Sequence, residues 1–168
     1  IRFFRSLYVD VVDDEGVVHR EHPNSITTWI DGSVIYGSSD STTNWLRSYE
    51  GGRMKVSENP YGDLLPVAKD DDDTAPPMSF AGISADVRFI AGDSRANAHI
   101  ALMSLHVLFL REHNRLADQI GEQNPDWNDE EIFQLARKLV AAQIQAITYE
   151  EFLPSLGITL EDYSGFDS

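Results

Sequence analysis

Two apolar stripes at helical spacing constrain this chain more than any other feature. From Ala98 to Gly121, Leu102, Leu105, Phe109, Leu116 and Ile120 fall on one helix face, with charged residues between them. Gly121 and Pro125 are the stop signals. A second helix is predicted to start near Asn128, which with Glu131 fits a capping box. Ile132, Ala136, Leu139, Val140, Gln143 and Ile147 mark its buried face, and Pro154 and Gly157 its end. The connection is short, so the two helices are predicted to be antiparallel.

The remaining pattern is weaker. Phe3 to Val12 is β-branched and aromatic, and Asp13-Asp14-Glu15-Gly16 reads as a turn to Val17-Val18, a short hairpin near residues 7–18. Asn24 to Ser39 alternates small polar with large apolar residues. A short helix is predicted around Asn44 to Tyr49, followed by Gly51-Gly52 and an irregular segment. Pro66, Pro76, Pro77 and the run Asp70 to Asp73 mark a surface loop over 61–81; the run reads as a solvated acidic tip or as a cation site. The expected class is mainly α: two long antiparallel helices, several short ones and long irregular loops. There is no internal repeat. A length of 168 residues fits one domain or part of a larger one, and residues 1–168 are taken as a single partial domain.

Charge and composition remove several functions. Lys and Arg number 13 against 28 Asp and Glu, a net charge of −15, which repels nucleic acid and anionic membranes and favours cations as partners. Without cysteine there is no disulfide, thiolate zinc site or thiol catalysis. No apolar run of about 18 residues is present to span a membrane. GxGxxG, the P-loop, HExxH, GxSxG and the EF-hand pattern are all missing. The chain does not begin with Met and shows no signal-peptide pattern, so a processed or excised piece is expected.

Three constellations carry possible chemistry. In an extended Thr27-Thr28-Trp29-Ile30-Asp31-Gly32-Ser33 segment, Thr27, Asp31 and Ser33 share a face with the Trp29 backbone between them. Two hydroxyls, a carboxylate and a carbonyl are hard oxygens of the kind calcium takes. The same residues also fit a plain capped turn. Second, Arg95 stands at a loop–helix junction in Ala91-Gly92-Asp93-Ser94-Arg95-Ala96-Asn97. It either projects a fixed cationic donor into a cavity or closes a salt bridge to Asp93 or Asp86. Third, Arg111-Glu112-His113-Asn114-Arg115 places polar groups in an apolar helix, where burial demands partners. His99, His106 and His113 lie seven residues apart. That is roughly 10 Å between neighbours, too far to share a metal, so hydrogen-bonded packing is the simpler role.

In order, these stretches resemble the animal-type haem peroxidases, the superfamily of myeloperoxidase, peroxinectin and cyclooxygenase, which also has bacterial members. The matching blocks are Phe3 to Ser6 (FFRS), Asn24 to Ser39 (NSITTWIDGSVIYGSS), Phe89 to Asn97 (FIAGDSRAN), Leu105 to Ala117 (LHVLFLREHNRLA) and Ile147 to Pro154 (ITYEEFLP). They cover most of 1–157, more loosely over 7–22 and 40–88. The resemblance implies a helical fold around a buried haem. It implies that Thr27, Trp29 through its carbonyl, Asp31 and Ser33 are calcium ligands. It implies that Arg95 is the distal catalytic arginine, a residue of the haem-binding pocket that helps polarise peroxide as the O–O bond breaks, next to a distal histidine. The Arg111–Arg115 block corresponds to a packing signature. Ala98 stands where many mammalian members carry a glutamate ester to haem, so that tether is lacking.

In such a domain the distal histidine and a calcium-completing aspartate precede the FFRS block, and the proximal histidine follows the ITY–LP block. None of the five histidines here matches either position. The chain is therefore expected to be an internal segment, inactive towards peroxide alone, with an apolar face left uncovered. The parent is expected to be a secreted calcium- and haem-dependent peroxidase. It would reduce hydrogen peroxide and oxidise a halide, phenol or metal ion, with the remaining segments of its domain as partners. The alternative is a haem-free, calcium-binding adhesion or scaffold module. A manganese-oxidising member, suggested by Asp70 to Asp73, is a third reading.

Overall fold

A computed structural model describes residues 7–24, 26–69, 72–79, 89–161 and 164–165. The FFRS block, Asp70, Asp71 and Asp86 lie outside the described residues. The predicted hairpin is present as β1 (Val9–Val12) and β2 (Val18–Glu21), antiparallel, with Val9 opposite Glu21 and Val12 opposite Val18. Its turn is built by Asp13, whose Oδ1 accepts the N–H groups of Glu15 (3.0 Å) and Val17 (2.9 Å). Gly16 supplies the left-handed residue (φ 81°) that the turn needs.

Two short helices follow, α1 (Ser33–Tyr36) and α2 (Asp40–Leu46). The second lies earlier than the sequence pattern places it. The Ser39 hydroxyl accepts the Thr42 N–H and Asp40 sits in the first turn, which fixes the start. Arg47 turns extended (φ −79°, ψ 143°) and pairs with Met54, which ends the helix before Tyr49.

The long helices are α3 (Ile100–Gln123) and α4 (Asp129–Ala146), packed against each other. The His99 imidazole caps α3, accepting the Ala101 N–H at 3.1 Å. Gly121 does not end α3; it faces Ile132 of α4, and Pro125 marks the break after Asn124. The capping box at Asn128 and Glu131 is fully formed, at 3.0 and 2.9 Å. After α4 a π-helical turn (Ile147–Phe152) carries the chain into α5 (Leu153–Ser155). Pro154 is tolerated there because the first helical turn needs no N–H from it, and Gly157 (φ 77°) follows the end.

The buried stripe of α3 is rotated from the expected one. His106, Leu110, His113, Ala117 and Ile120 face the core with Asn114 and Leu116, whereas Leu102 and Leu105 are exposed and Phe109 is half-buried. On α4, Ile132, Ala136 and Val140 are buried as expected and Gln143 partly so, but Leu139 is exposed, as is Ile147, which falls in the π-helical turn beyond the end of α4. Phe133 is fully buried instead. Two histidines account for part of the rotation on α3: polar by type, both occupy core positions, His113 bonded at both ring nitrogens and His106 at Nδ1 alone, its buried Nε2 having no partner among the described residues. Ile100, Leu105, Leu108, Tyr149, Phe152 and Leu156 are exposed large apolar residues on α3 and on the turns after α4.

Candidate functional site

The oxygen-rich segment is a pair of turns, not an extended strand. The Thr27 hydroxyl accepts the Trp29 N–H (3.1 Å) and Asp31 Oδ1 accepts the Ser33 N–H (2.9 Å). Gly32 is left-handed (φ 75°), which breaks strand alternation and starts α1, its carbonyl accepting from Ile35 and Tyr36. Thr27, Asp31 and Ser33 nevertheless meet, through folding-back rather than alternation. Burial raises the Asp31 pKa, but hydrogen bonds from the Ser33 backbone and hydroxyl and from the Thr27 hydroxyl outweigh it and hold the carboxyl below its ordinary range. Gln145 of α4 clamps the loop by donating to the Ile30 carbonyl at 2.6 Å. Asp31 also borders an open cleft of about 440 Å³ with Arg137 and Lys138.

This donor set fits a hard cation in part. One ionised carboxylate and two hydroxyls lie together, and the Trp29 carbonyl belongs to the same turn; calcium takes about 6–8 oxygens, so further ligands must come from elsewhere. Among the described residues no group of three or more His, Asp or Glu is arranged for a metal.

Arg95 caps a 3₁₀ turn (Ala96–Ala98) that leads into α3. It forms the salt bridge that its spacing to Asp93 allows. Nε donates to Oδ1 at 2.9 Å and Nη2 to Oδ2 at 2.6 Å, while the Arg95 backbone N–H donates to Oδ1 at 2.8 Å. The Arg95 side chain is 62% exposed and that of Asp93 only 8%. One edge of the guanidinium is thus engaged, and Nη1 has no partner among the described residues; its two N–H groups are the donor chemistry that an anionic oxygen requires. Hydrogen bonding to Arg95 and its charge hold the Asp93 carboxyl low against its burial.

The polar block of α3 is satisfied by the fold. Arg111 donates to the Asp63 carbonyl, Glu112 accepts from Arg115 and Gln143, and Asn114 bonds both the N–H and the carbonyl of Met54. His113 is enclosed by Tyr36, Phe133 and Gly52. Because the Gly52 carbonyl only accepts (2.9 Å), Nε2 carries the proton, and Nδ1 accepts from the Tyr36 hydroxyl (2.8 Å). His106 is also buried, with Nδ1–H donating to the Leu102 carbonyl at 2.8 Å. Tyr36 and Gly52 gave no signal in the sequence, since their roles arise only when distant segments meet around one imidazole.

Burial, reinforced by the Arg47 and Arg53 charges and opposed by the Gly52 bond, lowers the His113 pKa to about 4 from 6.5. Between these values the unfolded chain takes up a proton that the folded chain refuses, so stability falls as pH drops from 6.5 to 4 and levels off below. The drop is about 3 kcal/mol at roughly 1.4 kcal/mol per unit. Urea unfolding at pH 7, 5.5 and 4.5 is expected to show this slope, and His113→Gln, which cannot titrate, is expected to flatten it. Parallel slopes in both proteins contradict the assignment.

Of the Asp70–Asp73 run, Asp72 accepts from the Trp45 indole (2.9 Å) and from Thr74. It therefore braces a loop.

Comparison with known proteins identifies what these loops are similar to. The profile of the animal haem peroxidase family matches residues 1–163. Peroxinectin A of Dictyostelium discoideum is 39% identical over 163 residues, covering 94% of this chain and 29% of that protein. Human lactoperoxidase is 39% identical over 157 residues, covering 92% and 22%. Among solved structures, peroxidase A of Dictyostelium discoideum superposes with a TM-score of 0.84 at 37% identity, over 98% of this chain and 33% of that one. A fatty acid alpha-dioxygenase of Arabidopsis thaliana gives 0.60 at 26% identity, over 88% and 20%. The chain spans about a third or less of the relatives it matches.

Proposed function

This chain belongs to the animal haem peroxidase family, and we propose that it forms the arginine wall and the oxygen-lined loop of a haem- and calcium-dependent peroxidase. Residues 1–168 are then one part of a single domain in a secreted protein that reduces hydrogen peroxide and oxidises a small donor, a halide, a phenol or a metal ion. The observation that carries the reading is Arg95: its Nε and Nη2 are anchored to Asp93 while the side chain stays mostly exposed, and Nη1 has no hydrogen-bond partner among the described residues.

Haem, when bound, supplies the redox chemistry of the reaction. Arg95 donates N–H groups to a peroxide oxygen and stabilises the negative charge that grows as the O–O bond lengthens. Thr27, Asp31, Ser33 and the Trp29 carbonyl hold calcium, stiffening the turn that begins α1. Ala98 offers no carboxylate to esterify haem, so one covalent tether of many mammalian members is missing. The iron ligand and the acid–base histidine are assigned to other segments. His19 and His22 hold the hairpin region, His99 caps α3, and His106 and His113 are core residues.

A protein carrying this chain within its domain is expected to show a Soret band. A haem-free spectrum with calcium affinity retained would favour the adhesion module instead. On the calcium side, Asp31→Asn is expected to weaken binding by about tenfold or more, read by terbium luminescence sensitised through Trp29. Unchanged affinity removes Asp31 from the ligand set.

A further inference from the structure

We propose that Asp93 is the positioning residue for Arg95, and that it takes its own place from the backbone of α1. The inference rests on the reading of Arg95 given above. Arg95 is a long side chain, mostly exposed, and a free guanidinium there would sample many rotamers. Among the described residues, its side-chain hydrogen bonds go to one carboxylate, which grips Nε and Nη2 at 2.9 and 2.6 Å. The same carboxylate accepts the Arg95 backbone N–H at 2.8 Å, so side chain and main chain are referred to one point. That grip uses the Nε/Nη2 edge, and Nη1 has no partner among the described residues.

The point is itself fixed. The Asp93 N–H donates to the Val34 carbonyl of α1 at 3.0 Å. Next to it, Gly92 touches α1 backbone to backbone: a Cβ there would lie 2.3 Å from the Gly37 nitrogen and 2.5 Å from the Ser33 carbonyl oxygen. On the other side, Asn97 ties the loop down by donating to the Phe89 carbonyl at 2.8 Å. Asp93 is therefore a buried carboxylate on a backbone tied to α1 by a hydrogen bond and a close packing contact. It transmits the position of the α1 turn, where the oxygen loop ends, to the guanidinium.

The test uses the haem-loaded protein that carries this chain, with Asp93→Asn, Asp93→Glu and Arg95→Gln. Two quantities are read: the rate of reaction with hydrogen peroxide, and the hydrogen exchange of the Arg95 Nε–H, assigned by its loss in Arg95→Gln. Asp93→Asn is expected to speed that exchange at least about tenfold and to slow the peroxide reaction about a hundredfold, as a small misplacement of a reacting group does. Haem content is expected to stay constant, and Asp93→Glu to recover most of the rate. Wild-type rate or wild-type exchange in Asp93→Asn, with Arg95→Gln slow, overturns the positioning role. A fast Arg95→Gln overturns the reading of Arg95 itself, and this inference with it.

Discussion

Replacing Phe133 by alanine is expected to destabilise the chain by about 4 kcal/mol, the range for deleting a fully buried aromatic ring. Phe133 has no exposed surface. Its ring centroid lies 5.2 Å from that of His113 and 5.9 Å from that of Tyr36, the latter edge-on. The Arg47 guanidinium stacks 4.1 Å from the ring centroid while pairing with Asp129 and Glu130. Truncation thus opens a cavity at the junction of α1, α3 and α4, and loosens the Tyr36–His113–Gly52 chain that closes it. In a chain of this length the melting temperature should fall by roughly 10 °C. Phe152→Ala, at a ring that is 55% exposed, serves as the control and is expected to stay within about 0.5 kcal/mol. A Phe133→Ala loss as small as that of the control would contradict the core described here.

The two long helices were legible because their ends are written locally, in the Asn128–Glu131 box and in Pro125. Their inward faces were less so. His113 sits in the core with the Gly52 carbonyl and the Tyr36 hydroxyl on its two ring nitrogens, groups that lie far away in the chain, whereas His106 is bonded at Nδ1 by the Leu102 carbonyl one turn back and its Nε2 has no partner among the described residues. Residue type and spacing single out Arg95 and the Thr27–Ser33 segment, and the roles proposed for them come from the blocks of residues that resemble the family. Their geometry is not legible there: Gly32 folds the oxygen loop into turns, and the carboxylate that pairs with Arg95 is buried, with its own N–H bonded to the α1 backbone.

The central claim is that the Arg95 guanidinium serves the peroxide reaction. Arg95→Gln keeps a polar side chain of similar length but removes the charge and the fork. Losing one such preorganised donor costs about a hundredfold to a thousandfold in rate in comparable sites. Since Arg95 is mostly exposed and its partner is anchored separately by Val34, folding should survive the change. The decisive measurement is the stopped-flow rate of hydrogen peroxide with the haem-loaded Arg95→Gln protein. The expected result is a rate at least about a hundredfold below wild type, with the Soret band and calcium content unaltered. A rate equal to wild type at full haem occupancy would contradict the assignment of this chain to the peroxide side of the pocket.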